Sequence, residues 1–193
     1  MKLYLKGARC FSSKCPIEKK GAVPPGMHGM KRSSKPTDYS LQLRAKQKAK
    51  RLYGVLETQF KNYYQKAKKL KGLVGDNLLI LLERRLDNII YLAGLSLSRS
   101  HAKQLISHRN VKVNGQPLTI SSYSAKPGDI IELDNKIVEK VKDSLRLNDK
   151  DFKVPAWLDL NKTNCSVKII SPPQVADIQT GVDVNLIIEY YSR

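Results

Sequence analysis

The stretch SRSHAKQLISHRNVKVNG, residues 98–115, changes its hydrophobic period partway along its length, which indicates that two kinds of secondary structure follow each other here. Ser98 is a suitable helix cap, and apolar residues at helical spacing follow it as far as Ile106. Residues 111–113 then alternate apolar and basic, and the pair Asn114-Gly115 is typical of a two-residue hairpin turn. The stretch predicts a short helix that leads directly into a β-hairpin, within a fold of the α+β class.

The residues on either side extend both kinds of element. Upstream, apolar residues at helical spacing predict one helix over 77–93, capped by Asp76 and ended by Gly94. Downstream, a turn at 126–129 leads into an apolar strand at 130–133. The fold is therefore expected to pack helices on a small, mainly antiparallel sheet.

The last third of the chain has weaker signals. Residues 165–170 and 183–191 alternate like strands, but the sequence leaves their partners open. We expect the tail, residues 171–193, to pack near the helices of the N-terminal half. Trp157 stands among apolar neighbours, which favours a packing role over stacking on a base.

Positive charge is concentrated in the N-terminal part of the chain. The 193 residues carry a formal net charge of +18, and residues 1–73 alone hold 19 basic and three acidic side chains. The rest of the chain is close to neutral. A segment this unbalanced repels itself unless a polyanion neutralises it, which favours a nucleic acid as the partner.

The positive charge of residues 1–73 is divided between an irregular arm and two predicted helices. Residues 1–36 are rich in glycine and proline and lack a hydrophobic period, so they are expected to form an irregular basic arm. Residues 40–52 and 55–71 have apolar residues at helical spacing and predict two helices that meet at Gly54. Their other face carries ten basic residues against one acid, Glu57, which indicates phosphate binding rather than a solvated, ion-paired face.

Several other classes of protein are disfavoured. The longest apolar run, Leu78 to Leu82, is far below the roughly 20 residues that span a bilayer. A Lys-rich helix without Trp also fits a membrane surface poorly, so no membrane partner is expected. No Gly-rich nucleotide loop is present, and neither His28, His101 nor His108 adjoins a convincing nucleophile or acid.

Four short motifs resemble the S-four RNA-binding domain. They are RLDNIIY at 85–91, SRSHAKQLISH at 98–108, VNG at 113–115 and PGD at 127–129. The same domain occurs in several RNA-modifying and tRNA-charging enzymes. Alone, these motifs imply only that the chain binds structured RNA.

Three further stretches are similar to the bacterial-type ribosomal protein S-four family. They are PPGMHG at 24–29, the run from Asp38 to Glu57, and VNLIIEYYSR at 184–193. Together with the domain motifs, the resemblance covers nearly the whole chain. It implies a structural constituent of the small ribosomal subunit and no enzyme.

The resemblance also implies a division of the chain. We expect a basic N-terminal arm at 1–36 and a helical rRNA-binding domain at 37–76, with the tail 171–193 near it. An S-four-type RNA-binding domain with a strand extension would occupy 77–170.

Partners follow from the resemblance as well. Family members bind small-subunit ribosomal RNA at a multi-helix junction of its 5′ domain early in assembly, and they remain in the body of the subunit. They contact the S-five family protein at an interface that influences translational accuracy, and they help line the channel through which mRNA enters. A cytoplasmic, ribosome-bound protein is expected, with an organellar ribosome left open.

The expected RNA ligands are basic residues and two histidines of the arm, the helix face and the module. They are Lys2, Lys6, Arg9, Lys14, Lys19, Lys20, His28, Lys31, Arg32, Lys35, Arg44, Lys46, Lys48, Lys50, Arg51, Lys61, Lys68, Lys69, Lys71, Arg84, Arg85, Arg99, Lys103, His108, Arg109 and Lys112.

A zinc site is disfavoured, and no cofactor is expected. Cys10 and Cys15 form a C-x4-C pair, whereas a structural zinc site needs four ligands. His28 could add a third, but Cys165 is distant in sequence. Zinc-holding bacterial relatives have an earlier C-x2-C pair that this chain lacks, so two reduced thiols are expected.

Two other functions stay open at this point. An RNA-modifying enzyme could carry the same module, but the last 50 residues offer only scattered acids such as Asp149, Asp151, Asp159 and Asp177. A free RNA chaperone is the other alternative. The basic helices and the YYSR ending argue against it.

Overall fold

A computed structural model of the protein describes residues 2–23, 26–29, 35–134, 136–138, 152–178 and 180–193. Its helices are α1 Pro16–Lys20, α2 Asp38–Tyr53, α3 Glu57–Lys69, α4 Val74–Glu83, α5 Leu86–Leu92, α6 Arg99–Ser107 and α7 Val184–Ser192. Its strands are β1 Val111–Val113, β2 Gln116–Pro117, β3 Ile130–Leu133, β4 Leu158–Asn161 and β5 Ser166–Ile169. Short 3₁₀ turns occur at Gly7–Cys10 and Val175–Asp177.

The helices α2, α3, α4 and α7 surround one apolar core, here called the helical lobe. Helix α2 begins after Thr37, whose hydroxyl accepts the N–H of Ser40. It ends at Gly54, which has a left-handed backbone conformation (φ +62°) that favours glycine. The predicted break between two basic helices is therefore confirmed.

The chain's last helix, α7, closes the helical lobe. Ile187 is buried in its core, and the ring of Tyr191 stacks on Tyr64 with the centroids 4.7 Å apart. The strand predicted at 183–191 is wrong: Asp183 caps a helix by accepting the N–H of Asn185. Packing against α2 outweighs the strand preference of these branched and aromatic residues.

The single helix predicted over 77–93 is also wrong, because the chain breaks at Arg84-Arg85. Arg85 has an extended backbone, and the carbonyl oxygen of Arg84 accepts the N–H of Ala125. The strand-like pairing of Arg85 with Ser124 fixes the break. The expected domain edge at 76/77 falls inside α4, whose Leu78 and Leu82 pack in the helical lobe.

Helices α5 and α6 pack with the five-stranded sheet around a second core, here called the sheet lobe. The strand order is β2-β1-β3-β5-β4, and every adjacent pair is antiparallel. The predicted hairpin at Asn114-Gly115 joins β1 to β2, and Trp157 is buried in this core as expected. The predicted α+β class is confirmed.

Candidate nucleic-acid interface

Most of the predicted RNA ligands lie on the surface. The exposed ones are Lys6, Arg9, Lys14, Lys19, Lys20, His28, Lys35, Arg44, Arg51, Lys61, Lys68, Lys69, Lys71, His108 and Arg109. The half-buried ones are Lys2, Lys48, Lys50, Arg84, Arg99, Lys103 and Lys112. Lys31 and Arg32 lie outside the described residues.

A cleft forms where the arm and the two lobes meet, and it collects three of the predicted cations. The cleft has a volume of about 120 Å³. Arg51 near the end of α2, and Arg99 and Lys103 of α6, line it together with Tyr4 of the arm. The hydroxyl-bearing residues on either side of Arg99 complete the lining. This basic cleft offers the donors that suit a phosphate group.

Arg99 is oriented by the start of α6 and by two tyrosine rings. The Ser98 hydroxyl caps α6 by accepting the N–H of His101 at 3.2 Å. The Nε of Arg99 donates to Asn88 Oδ1 at 2.8 Å. Its guanidinium carbon lies 4.4 Å from the ring centroid of Tyr91 and 5.2 Å from that of Tyr53. The cation is therefore positioned by the protein itself, which lowers the entropy cost of binding.

Lys103, one turn after Arg99 in α6, links the two lobes. Its Nζ lies 3.6 Å from Asp87 Oδ2 and donates to the carbonyl oxygen of Gly54. One contact is to the sheet lobe and the other to the end of α2. A ligand that binds here would contact the seam between the lobes.

A buried hydrogen-bond chain lies behind the cleft. The Glu83 carboxylate accepts from the Tyr53 hydroxyl at 2.6 Å and from Asn88 Nδ2 at 2.6 Å. Burial raises the pKa of Glu83, and it raises the pKa of Tyr53 well above its ordinary value. Since Asn88 also accepts from Arg99, the chain connects the core of the helical lobe to the cleft.

Arg85, predicted to bind RNA, is instead buried, with 1% of its surface exposed. Its Nε and Nη2 donate to the two Asp87 oxygens at 3.1 and 2.8 Å, and its Nη1 donates to the Tyr63 hydroxyl at 2.8 Å. Every contact is internal, so this guanidinium stabilises the junction of the lobes. Its place in a recognisable motif gave no indication of its burial.

Lys46 is the second predicted ligand that the structure buries. Its Nζ pairs with Glu57 Oε1 at 2.7 Å and lies 4.2 Å from the ring centroid of Tyr190. Although burial alone would raise the pKa of Glu57, hydrogen bonds from Lys46, Lys50 and Tyr191 outweigh it and lower that pKa. Lys46 therefore holds the C-terminal helix in place rather than facing RNA.

The half-buried cations have protein partners that a phosphate could replace. Lys2 pairs with Glu18 at 2.6 Å, and Lys112 lies 3.6 Å from Asp134. Such partly solvated ion pairs contribute about 0–1 kcal/mol, so exchanging one for a phosphate costs little. Lys50 pairs with Glu57, Lys48 donates to the Gly181 carbonyl, and Arg84 donates to the Ala125 carbonyl.

The cysteines have structural surroundings. Cys15 is buried, and Cys10 Sγ accepts the backbone N–H of Lys6 at 3.3 Å. Across the described ranges, no three His, Cys, Asp or Glu side chains gather where they could hold a metal ion. Within the same ranges, no helix has the length and apolar character needed to cross a bilayer.

Some residues at the interface were missed at the sequence level. Tyr4 and Tyr91 line the cleft, and Phe11 is 76% exposed beside Tyr4. The available signal was the presence of aromatic residues among the lysines of the arm. A second, polar groove lies between α3 and Ser122, lined also by Gln59, Asn62, Tyr63 and Lys66.

Two family models match the chain in succession. One, described as the ribosomal protein S4/S9 N-terminal domain, matches residues 1–83, and one described as the S4 domain matches residues 84–131. They meet at the break between α4 and α5. The two matches thus divide the chain where the helical lobe gives way to the sheet lobe.

Full-length relatives carry the name small ribosomal subunit protein uS4. The Dictyoglomus turgidum protein is 47% identical over 193 residues, and that of Thermodesulfovibrio yellowstonii is 48% identical over 195 residues. The Halothermothrix orenii protein is 44% identical over 194 residues. Each alignment covers 100% of this chain and 92% of the relative. The chain belongs to the uS4 family of small-subunit ribosomal proteins.

Proposed function

We propose that this protein binds a multi-helix junction in the 5′ domain of small-subunit ribosomal RNA as a primary assembly protein of the subunit body. It acts as a structural component, not as an enzyme. The observation that carries the proposal is the basic cleft, where Arg51 of one lobe faces Arg99 and Lys103 of the other. Binding there would fix both lobes on the RNA at once.

A junction suits this surface better than a single duplex does. The exposed cations belong to the arm, to the α2–α3 face and to the turn after α6, where Arg109 lies, and these are three separate segments. A junction presents phosphates from several RNA helices at short range, so it can neutralise all three. Folded RNA is recognised largely through shape, phosphates and 2′-hydroxyls, which requires no helix inserted into a groove.

The proposal includes two further partners that the family resemblance implies. The channel through which mRNA enters would be lined near the start of α2, where Lys35 is exposed. Arg32 is part of the same expectation, although it lies outside the described residues. Contact with the S-five family protein, with its effect on accuracy, rests on the resemblance alone. The protein would act bound to the ribosome in the cytoplasm, without a cofactor.

The domain division is part of the same proposal. We keep the arm at 1–36 as a separate unit and place the RNA-binding helical unit in the helical lobe, with the tail beside it. Because Leu78 and Leu82 pack in the helical lobe, the S-four-type unit would begin after α4 rather than at residue 77.

A salt series tests the proposed function. The purified protein is titrated with a transcript of the 5′ domain and with a scrambled RNA of equal length. Selective binding is expected, and with six phosphate contacts affinity should fall about a thousandfold between 50 and 200 mM salt. Arg51→Gln should weaken binding, whereas Lys162→Gln, a matched change in the β4–β5 turn, should not.

Two results would contradict the proposal. Equal affinity for both RNAs, falling together as salt rises, would indicate a nonspecific polycation and favour the free-chaperone alternative. Equal losses in Arg51→Gln and Lys162→Gln would show that net charge, and not the basic cleft, determines binding.

A further inference from the structure

Two aromatic side chains of the arm are stacked on each other while both remain exposed. The rings of Tyr4 and Phe11 have centroids 5.0 Å apart and planes inclined by 25°. Tyr4 is 49% exposed and Phe11 is 76% exposed. Single exposed apolar residues are common, but a stacked pair that leaves an aromatic face in water suggests a ligand for that face.

The backbone of the arm is shaped to bring these rings together. Tyr4 and Gly7 both have left-handed backbone angles, with φ of +51° and +56°. A Cβ atom on Gly7 would lie 2.7 Å from the carbonyl oxygen of Leu97, so the arm is pressed against the sheet lobe there. The 3₁₀ turn Gly7–Cys10 then brings the chain back toward Tyr4, so that the ring of Phe11 stacks on the ring of Tyr4. Contacts within the protein therefore hold the two rings together without a ligand.

The segment that carries the aromatic pair is rich in basic residues. Lys2 Nζ lies 5.1 Å from the Tyr4 ring centroid, and Lys6, Arg9 and Lys14 are exposed on the same segment. Glu18 is the one acidic residue in the sequence of the arm, and it is paired with Lys2. Tyr4 also lines the basic cleft. An occupant of the exposed ring face would therefore bind a positively charged segment beside the basic cleft.

The positive charge of the arm distinguishes between two kinds of molecule that could bind the exposed ring face. An apolar protein segment would fit an aromatic face with an apolar or mixed rim, but it would leave these cations without partners. An unpaired nucleotide supplies both a flat aromatic base and flanking phosphates. We propose that Phe11, supported by Tyr4, is a stacking platform for an unpaired nucleobase of the RNA, an inference that rests on the proposed function.

Substitution of Phe11 separates stacking from charge. Phe11→Leu keeps the apolar bulk but removes the aromatic face, and it should weaken binding of the 5′-domain transcript by about tenfold. The slope of affinity against salt should stay unchanged because no phosphate contact is lost. Phe11→Tyr should restore affinity. Ile170→Ala, a change at an apolar residue that is 59% exposed on the sheet lobe, is the matched control and should have no effect.

Fluorescence provides a direct readout. In Phe11→Trp, the new indole should be quenched when the transcript binds, against the constant background of buried Trp157. Heparin, which carries negative charge without bases, should bind without quenching it. Equal quenching by heparin would overturn the platform, as would wild-type affinity in Phe11→Leu.

The outcomes also separate this inference from the proposed function. If the wild-type protein fails to select the transcript, both fail together. If the wild type selects it and Phe11→Leu binds equally well, only the platform is overturned. A Phe11→Leu variant that keeps RNA affinity but loses binding to another small-subunit protein would make the ring pair a protein contact instead.

Discussion

The two lobes differ in the side chains that form their apolar cores. The core of the sheet lobe is built mostly of leucine, isoleucine and valine. The core of the helical lobe contains Tyr53 and Tyr64, and at its edge Lys46 and Glu83 are buried with hydrogen-bonded partners. Aromatic rings and hydrogen-bonded polar groups therefore contribute to the interior of the helical lobe, whereas the apolar core of the sheet lobe is mainly aliphatic.

The lobes also differ in how the chain closes them. In the helical lobe, Gln42 of α2 donates to Glu189 of α7, a contact across 147 residues of sequence. In the sheet lobe, neighbouring strands β4 and β5 pair almost directly along the chain. The helical lobe therefore becomes complete only when the last residues have been made, whereas most of the sheet lobe can form before them.

The largest effect is expected from the ion pair at the seam between the lobes. Arg85→Met leaves the buried Asp87 carboxylate without its bidentate partner, which should cost about 3–5 kcal/mol of unfolding free energy. Urea unfolding measures this loss. Arg84→Met is the matched control: Arg84 is half-buried with a single carbonyl contact, so its loss should stay near 1 kcal/mol. Equal losses of unfolding free energy in the two variants would show that the buried Arg85–Asp87 pair stabilises the protein no more than the single contact of Arg84 does.

The next effect tests whether the C-terminal helix stabilises one lobe or both. Ile187→Ala should cost about 2–3 kcal/mol because it leaves a cavity in the helical lobe. Hydrogen exchange should show faster opening of α2 and α4, while the strands of the sheet lobe keep their protection. The exposed Asn185→Ala on the same helix is the control. Equal loss of protection in the sheet would mean that the lobes unfold as one unit.

A smaller effect should appear in the pH dependence, with opposite signs at two acids. Burial raises the pKa of Glu83. Although burial also acts to raise the pKa of Asp129, hydrogen bonds from the Lys126 backbone, Asn114 and Tyr123 lower it overall. Glu83 therefore loses stabilising effect as pH rises from its unfolded pKa of about 4.3. Asp129 loses it as pH falls from its unfolded pKa of about 3.9.

Neutral variants isolate these contributions. The unfolding free energy of the wild type minus that of Glu83→Gln should fall as pH increases above about 4.3. The same difference for Asp129→Asn should fall as pH decreases below about 3.9. If the two difference curves had slopes of the same sign, they would contradict the opposite pKa shifts of Glu83 and Asp129.

Local signals in the sequence were sufficient for part of the fold. The cap at Ser98, the break at Gly54 and the turn at Asn114-Gly115 each depend on a few neighbouring residues, and each is found as predicted. The resemblance to the S-four domain rested on such segments as well. These features could be predicted because the hydrogen bonds that form them lie within the motif itself.

Contacts between distant segments account for what the sequence did not reveal. The break at Arg85 depends on pairing with Ser124, and α7 is helical because it packs on α2. The burial of Lys46 requires Tyr190, which is 144 positions away in the chain. A basic residue on an amphipathic helix looks the same in sequence whether a distant aromatic ring covers it or not.

The smallest expected effect comes from comparing a variant of exposed Lys61 with a variant of buried Lys46. Both were predicted to bind RNA, but Lys61 is exposed and Lys46 is 4% exposed. If Lys61 contacts a phosphate, Lys61→Gln should reduce the slope of log affinity against log salt by about 0.9, because one fewer counterion is released. Lys46→Gln should lower unfolding stability and leave that slope unchanged when measured where the variant is fully folded. A slope change in Lys46→Gln would show that RNA displaces Tyr190 from this lysine, and the helical lobe would then open on binding.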